Sequence, residues 1–333
     1  MAATLKDIAS ETGLSIATIS KYINGGNLKE RNRIKIEAAI KKLNYTVNEY
    51  ARALKSSKSR TIGVLIPELS NTFVTHILSS VEEVLHKNGY SLLVADCRSN
   101  EEQEVKEVQL LLSKMVDGII NMPTCQDGRH LTPALDQDIP VVLIDRAIPS
   151  LRGKVDAVLI DNEAVSYNAT QHLLNMGHKN IAIVVGPENI FTSEFRLNGY
   201  KKALAEANVE INQDFIFHSD YSLQGGFYST TEILNNKDIT AMFVTNYEMT
   251  LGSIIAIKEL NANIPDDISI IGFDNFDISR IISPSLTLVN QPLSDIGTHV
   301  ANTILSRQNE SSTSPFNLFL DASLIEGKSV SKL

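Results

Sequence analysis

The sequence is poor in the features that mark secreted, membrane or nucleotide-dependent proteins. Only two cysteines, Cys97 and Cys125, occur in 333 residues. That is too few for a disulfide framework and in keeping with a reducing cytosol. No run of about eighteen apolar residues is present, and the N-terminus has no apolar signal core, so the pattern predicts a soluble cytoplasmic protein without a membrane span. Neither GxGxxG nor GxxxxGK[ST] occurs, which removes the strongest nucleotide fingerprints. The seven histidines are scattered without HxxxH or HExxH spacing, and neither a metal site nor a cofactor is expected. Glu101, Glu102, Glu104 and Glu107 form a carboxylate run that reads as a solvated helix face. No Ser/His/Asp set can be assembled from sequence order alone, and nothing indicates an enzyme.

What is present begins with length and charge. A 43% hydrophobic content over this length is enough for two or more well-buried domains. The net charge of −9 is unevenly spread. Residues 1–60 hold 12 Lys+Arg against 5 Asp+Glu, a net +7, and the remainder holds 18 against 34, a net −16. A basic head on an acidic body is the asymmetry of a chain that touches DNA at one end only.

The head carries the clearest local pattern, TLKDIASETGLSIATISKYIN from Thr4 to Asn24. Ile8, Ala9 and Thr12 recur at helical spacing, Gly13 breaks it, and Ile16, Ile19, Tyr22 and Ile23 begin a second apolar stripe. Two short helices joined at Gly13 read as a helix-turn-helix. Ser15 is a good N-cap for the second helix. Ser15, Ala17, Thr18, Ser20 and Lys21 are small, hydroxylic or basic, as a major groove requires. A third stripe, Ile34, Ile36, Ala39, Ile40 and Leu43, completes a three-helix core. The stretch Asn48–Lys55 that follows has few apolar residues and is too short to be a stable helix alone in water.

From Thr61 the pattern alternates between strands and helices. Ten candidate strands, mostly continuous β-branched runs, are separated by amphipathic stretches, which predicts a doubly wound α/β body with two parallel-sheet lobes. Gly63 and Gly272, in the strands, are explained by close packing. A ligand is expected at the carboxyl ends of the strands, in the cleft between lobes. Polar residues cluster there: Asn71 and Phe73 after the first body strand, Asp145 and Arg146 after VVLI, Phe195 and Arg196 opening a helix, Asn246, Asp274 and Gln291. Singly each reads as a turn or cap residue. Jointly they offer carboxylate, guanidinium and carboxamide groups that can share out the donors and acceptors of a polyhydroxylated ligand.

On the motifs TLKDIA, SxxTxS, NxxARxL at Asn48, Ala51, Arg52 and Leu54, then IGVLIP, FRLNGY, IIGFDN and LTLVNQP–DIG, the chain closely resembles the LacI/GalR family of bacterial transcription regulators over nearly its full length. The resemblance implies a helix-turn-helix head (1–46), a hinge helix and linker (47–60), and a core (61–333) like the periplasmic binding proteins. In that core the first lobe is about 61–160 plus 292–320 and the second about 161–291 plus 321–333. It implies a homodimer on a pseudo-palindromic double-stranded operator. Ile16, Ala17 and Lys21 are then expected to read base edges, with Thr4, Ser15, Thr18, Ser20 and Asn24 on the backbone. The hinge at Asn48, Ala51, Arg52 and Leu54 is expected to fold on the operator with Leu54 wedged into the minor groove. Asn71, Phe73, Asp145, Arg146, Arg196, Asn246, Asp274 and Gln291 are expected to bind a small carbohydrate effector.

The sequence departs from the family at Lys21, where many relatives have arginine, at Val47, where proline is frequent, and at Thr72, Val74 and Tyr247 beside the cleft. No heptad extension follows Glu326, so a zipper-type tetramer is not expected. The expected function is repression of carbohydrate uptake or utilisation genes. The alternatives are a global carbon regulator that docks a phosphorylated carrier protein and a stand-alone sugar-binding protein.

Overall fold

The computed structural model describes residues 3–23, 26–45, 58–274, 281–309 and 314–333. Asn24 and the hinge residues Asn48, Ala51, Arg52 and Leu54 lie outside them. The chain divides into two compact units, Met1–Arg60 and Thr61–Leu333.

The first unit holds α1 (Leu5–Thr12), α2 (Ile16–Ile23) and α3 (Glu30–Leu43). Gly13 terminates α1 with φ +70°, a left-handed conformation that glycine adopts without a Cβ penalty. The Thr12 hydroxyl turns back to the Ile8 carbonyl at 2.7 Å. Ile8, Ile19, Ile36 and Ala39 form the small core, with Tyr22, Ile23, Ile40 and Leu43 packed around it. Two members of the sequence stripes fall outside this core: Ile16 is 44% exposed and Ile34 55% exposed. Three short helices enclose one narrow seam, so a stripe wider than that seam leaves apolar residues facing outward.

The second unit contains β1 (Thr61–Ile66), α4 (Thr72–Lys87), β2 (Ser91–Asp96), α5 (Glu101–Ser113), β3 (Gly118–Asn121), the short α6 (Thr132–Leu135), β4 (Val141–Ile144) and β5 (Asp156–Ile160). It continues through α7 (Asn162–Asn175), β6 (Ile181–Val185), α8 (Phe191–Glu206), β7 (Ile216–His218), α9 (Leu223–Asn235), β8 (Ala241–Val244), α10 (Tyr247–Glu259) and β9 (Ser269–Phe273). Last come β10 (Thr287–Asn290), α11 (Leu293–Asn309), β11 (Asn317–Leu320) and β12 (Ser323–Ile325).

These strands form two six-stranded sheets. The first has the order β11-β5-β4-β3-β1-β2 and the second β12-β10-β9-β8-β6-β7. Every pairing is parallel except β10 with β12. Strands covered on both faces explain the continuous apolar runs: in β1, Ile62, Val64 and Ile66 join one core cluster while Leu65 joins the cluster on the opposite face.

The twelve strands among the described residues correct the ten read from sequence. β11 and β12 are short and half-exposed, so they lack the buried β-branched run that marks the others. The helix α11 buries Ile296, Val300, Ala301 and Ile304.

Candidate functional site

Two surfaces carry candidate chemistry. The first is the outer face of α2. Ser15 accepts from the Thr18 amide at 3.2 Å, and the two hydroxyls lie 2.9 Å apart, so the helix N-terminus is closed by side chains. Ile16, Ala17 and Lys21 are exposed, while Ile19 is buried between them. One helix therefore splits its residues between the core and an outward row of small, apolar and basic groups. Thr4 precedes α1, and its amide and hydroxyl both donate to Asp7 Oδ2 at 2.8 Å; these bonds hold the Asp7 carboxyl below its ordinary pKa. Thr18 and Ser20 are half-buried.

The second surface is a cavity of about 380 Å³ at the carboxyl ends of the strands of both sheets. Its volume is within the range of small-ligand pockets, roughly 300–1,000 Å³. Asn71, Phe73, Asp145, Arg146, Arg196, Asn246, Asp274 and Gln291 all line it. Asn71 caps α4, its Oδ1 accepting from Phe73 N at 2.9 Å, and Asn246 caps α10, accepting from Met249 N at 3.0 Å. Each carboxamide oxygen is thus committed to a helix. The Asn246 Nδ2 donates to Glu248 at 3.2 Å.

Asp145 and Asp274 leave their strands in the left-handed region, with φ 64° and 76°. Asp is among the few side chains that tolerate it. The kink turns both carboxylates into the cavity. Arg146 donates from Nη1 to the Pro123 carbonyl at 3.0 Å and sits 3.6 Å from Asp145 Oδ2. Arg196, 5% exposed, donates to Asn162 Oδ1 at 2.7 Å and to the Thr245 carbonyl at 2.6 Å. Its guanidinium lies 4.0 Å from the Phe273 ring centroid.

Gln291 donates to Asp274 Oδ1. Burial pushes the Asp274 carboxyl up to about 7, against the opposing pull of Arg196 and the Gln291 hydrogen bond. Two buried polar atoms of this set, Gln291 Oε1 and Arg146 Nε, have no hydrogen-bond partner. Arg146 Nε faces Asp145 Oδ2 at 3.6 Å, whereas Gln291 Oε1 is an open acceptor of the kind a polar ligand would satisfy.

Phe195 does not belong to this set. α8 begins at Phe191, so Phe195 and Arg196 lie one turn inside it, which corrects their placement at a helix start. Consecutive helical residues point about 100° apart. Arg196 therefore enters the cleft while Phe195 faces a separate groove of about 820 Å³. That groove is larger, and its wall mixes Leu143, Ile148, Phe191 and Phe319 with Arg152, Glu163 and Lys202.

Sequence reading missed Asn162, which positions Arg196, and Tyr221, which lines the cleft behind β7. Tyr221 donates to or accepts from Ser193 and Thr192 at 2.6 and 3.0 Å. Gly186 makes room for it, because a Cβ there would meet the ring at 2.0 Å. The strand-end rule applied to β7 points to Tyr221, whereas Asn162 acts through another side chain and leaves no such signal.

A helix-turn-helix unit followed by a two-lobed ligand-binding core is the plan of a ligand-responsive DNA-binding regulator. Residues 4–48 match the model of bacterial regulatory proteins of the lacI family, and residues 59–325 that of periplasmic binding proteins and the sugar-binding domain of the LacI family. The chain belongs to the LacI family. It is 35% identical to catabolite control protein A of Priestia megaterium over 300 residues, covering 89% of this chain and 90% of that one. Its fold is similar to the lac repressor dimer bound to operator and an anti-inducer, with TM-score 0.90, 27% identity and coverage of 99% and 100%. A LacI-family regulator from Enterococcus faecium with bound ribose matches with TM-score 0.75 and 29% identity, covering 82% of this chain and 99% of that one. The protein is a DNA-binding transcription regulator of this family, and no helix among the described residues is long and apolar enough to cross a membrane.

Proposed function

We propose that this regulator is a cytoplasmic, homodimeric, non-enzymatic repressor of carbohydrate uptake or utilisation genes, and that a small neutral sugar in the cleft sets its affinity for a pseudo-palindromic operator. The observation that carries the sugar is the cleft itself. Its polar groups converge from both lobes, Gln291 Oε1 is open, and Phe73 supplies an apolar wall. The carboxylates Glu68, Asp145, Asp220 and Asp274 outnumber the guanidiniums Arg146 and Arg196 in its lining. That balance favours a ligand rich in hydroxyl donors over a phosphorylated one. The ribose bound to the Enterococcus faecium relative supports the same class.

At the other end, Ile16, Ala17 and Lys21 are assigned to base edges. Thr4, Ser15, Thr18, Ser20 and Asn24 are assigned to the DNA backbone, and Asn48, Ala51, Arg52 and Leu54 to a hinge that orders on the operator. Lys21 in place of arginine offers a point charge instead of a bidentate fork, which alters the preferred base. By linkage, a sugar that weakens operator binding is itself bound more weakly in the presence of operator.

The test is fluorescence anisotropy of a pseudo-palindromic duplex at fixed salt, with random duplex as control and a panel of mono- and disaccharides. One sugar is expected to shift operator affinity about tenfold, roughly 1.4 kcal/mol of coupling. Arg196→Ala is expected to abolish that shift while leaving sugar-free operator binding intact; a surviving response overturns the cleft assignment. The identity to catabolite control protein A gives one rival a footing, a global regulator co-activated by a phosphorylated carrier protein. Tight operator binding that no sugar moves, with strengthening by such a carrier, would favour the rival.

A further inference from the structure

Glu104 breaks the pattern of its helix. Sequence places it with Glu101, Glu102 and Glu107 on a solvated face, but in the structure Glu104 is fully buried. Its carboxylate turns inward to the loop that follows β3, where it accepts from the Thr124 amide at 3.1 Å and the Cys125 amide at 2.6 Å. Cys125 and His130, both buried, close on the same point. Carboxylate oxygen, sulfur and ring nitrogen all lie within 4.8 Å of one another. Glu104 Oε1 and His130 Nε2 are 3.5 Å apart.

The surroundings are short of partners. Asn121 Nδ2 lies 2.8 Å from His130 Nε2 and the Cys125 thiol donates to the Glu101 carbonyl at 3.5 Å, while Asn121 Oδ1, His130 Nδ1 and Thr124 Oγ1 are buried without any hydrogen bond. Three open polar atoms around three metal-ligating side chains mark a place where something further binds.

We propose that Glu104, Cys125 and His130 are the protein ligands of one divalent cation of the zinc class. The mixed O, S and N donor set suits a borderline-soft tetrahedral ion. Ligand bonds of about 2.0–2.3 Å set tetrahedral donors roughly 3.3–3.7 Å apart, and the Glu104–His130 pair at 3.5 Å has that spacing, with the sulfur within 4.8 Å of both. A carboxylate and a thiolate together cancel the 2+ charge, which matters where no water screens it. Binding replaces the Cys125 S–H with an S–metal bond and releases the proton to solvent. A metal bound at His130 Nε2 takes the place of the Asn121 Nδ2 contact. The fourth position opens toward a surface cavity of about 350 Å³ lined by Cys125 and His130, a route for the ion and its water.

Occupation would be felt at the cleft. Met122 and Thr124 line the effector cavity, and the Pro123 carbonyl holds Arg146. The turn that carries Cys125 on one side thus carries the cleft wall on the other.

The test is a titration of the full, chelator-treated, reduced chain with Co²⁺. One equivalent is expected to bind, with a thiolate-to-cobalt charge-transfer band, visible bands of a tetrahedral ion, release of one proton and displacement by Zn²⁺. Cys125→Ser loses the charge-transfer band, and His130→Gln weakens binding about tenfold or more. Cys97→Ser, outside the triangle, keeps the spectrum. A wild-type chain without the charge-transfer band overturns the proposal, and so does a band that survives Cys125→Ser. A buried water bridging the same atoms gives the first of these results, a reading that needs no variant to fold.

Discussion

Asp274 sits at the bottom of the cleft with its carboxyl raised to about 7, which gives both stability and ligand binding a defined pH dependence. In the unfolded chain an aspartate titrates near its ordinary value of 3.8, so between these values the folded state holds a proton that the unfolded state has released. Stability from this group therefore falls as pH rises from about 4 to about 7 and is not recovered above it. Sugar binding has the opposite sign, because hydroxyl donors prefer the ionised carboxylate. Sugar affinity is expected to rise several-fold between about pH 6 and pH 8 in calorimetric titrations, while the sugar-free melting temperature drops between about pH 4 and pH 7 and levels off above. Asp274→Asn should flatten both curves; if the affinity of the variant keeps its slope, another group is titrating. The residue types at this site were legible because Asn, Asp and Arg after strand ends are visible one at a time in sequence. The left-handed kinks that aim Asp145 and Asp274 inward and the Asn162 support under Arg196 were not, since they depend on partners distant along the chain.

Among the elements, α2 joins a core seam to an outward-facing row, and its N-cap is the vulnerable point. Ser15→Ala removes the bonds to Thr18 and is expected to cost about 1 kcal/mol of head stability. Circular dichroism melting of the full chain would register this as a lower first transition; an unchanged transition would show that packing at Ile19 alone holds the helix. Elements with a buried β-branched run were plain in sequence: β1, β4, β6 and β9 begin and end where the apolar runs do. β11 and β12 were not, because they are edge strands of four and three residues with alternate residues in solvent. Glu104 failed for a related reason. A carboxylate run on a helix is solvated by default, and only the turn that lays two backbone amides over one carboxylate overturns that default.

For the whole molecule, charge and connectivity say different things. The net +7 of residues 1–60 against −16 for the rest leaves the head to make the DNA contacts while the body is repelled by phosphates. On the proposed hinge assignment, specificity depends on the segment between them. Leu54→Ala is expected to weaken operator binding far more than random-duplex binding at equal salt, in the same anisotropy assay. An equal loss on both duplexes would end the wedge assignment for Leu54.

The sheet orders carry one more consequence. β11 completes the first sheet and β12 the second, although they are only two residues apart and both follow every other strand. Each sheet is therefore assembled from separated stretches of chain, whereas the head is one uninterrupted segment. A single genetic crossover near residue 60 can hand this head to another core, or another head to this core, and yield a chimera with every strand in place. No single crossover can exchange one lobe alone. Operator choice can thus be traded between regulators as a module, while a new effector preference has to arise by point substitution inside the cleft.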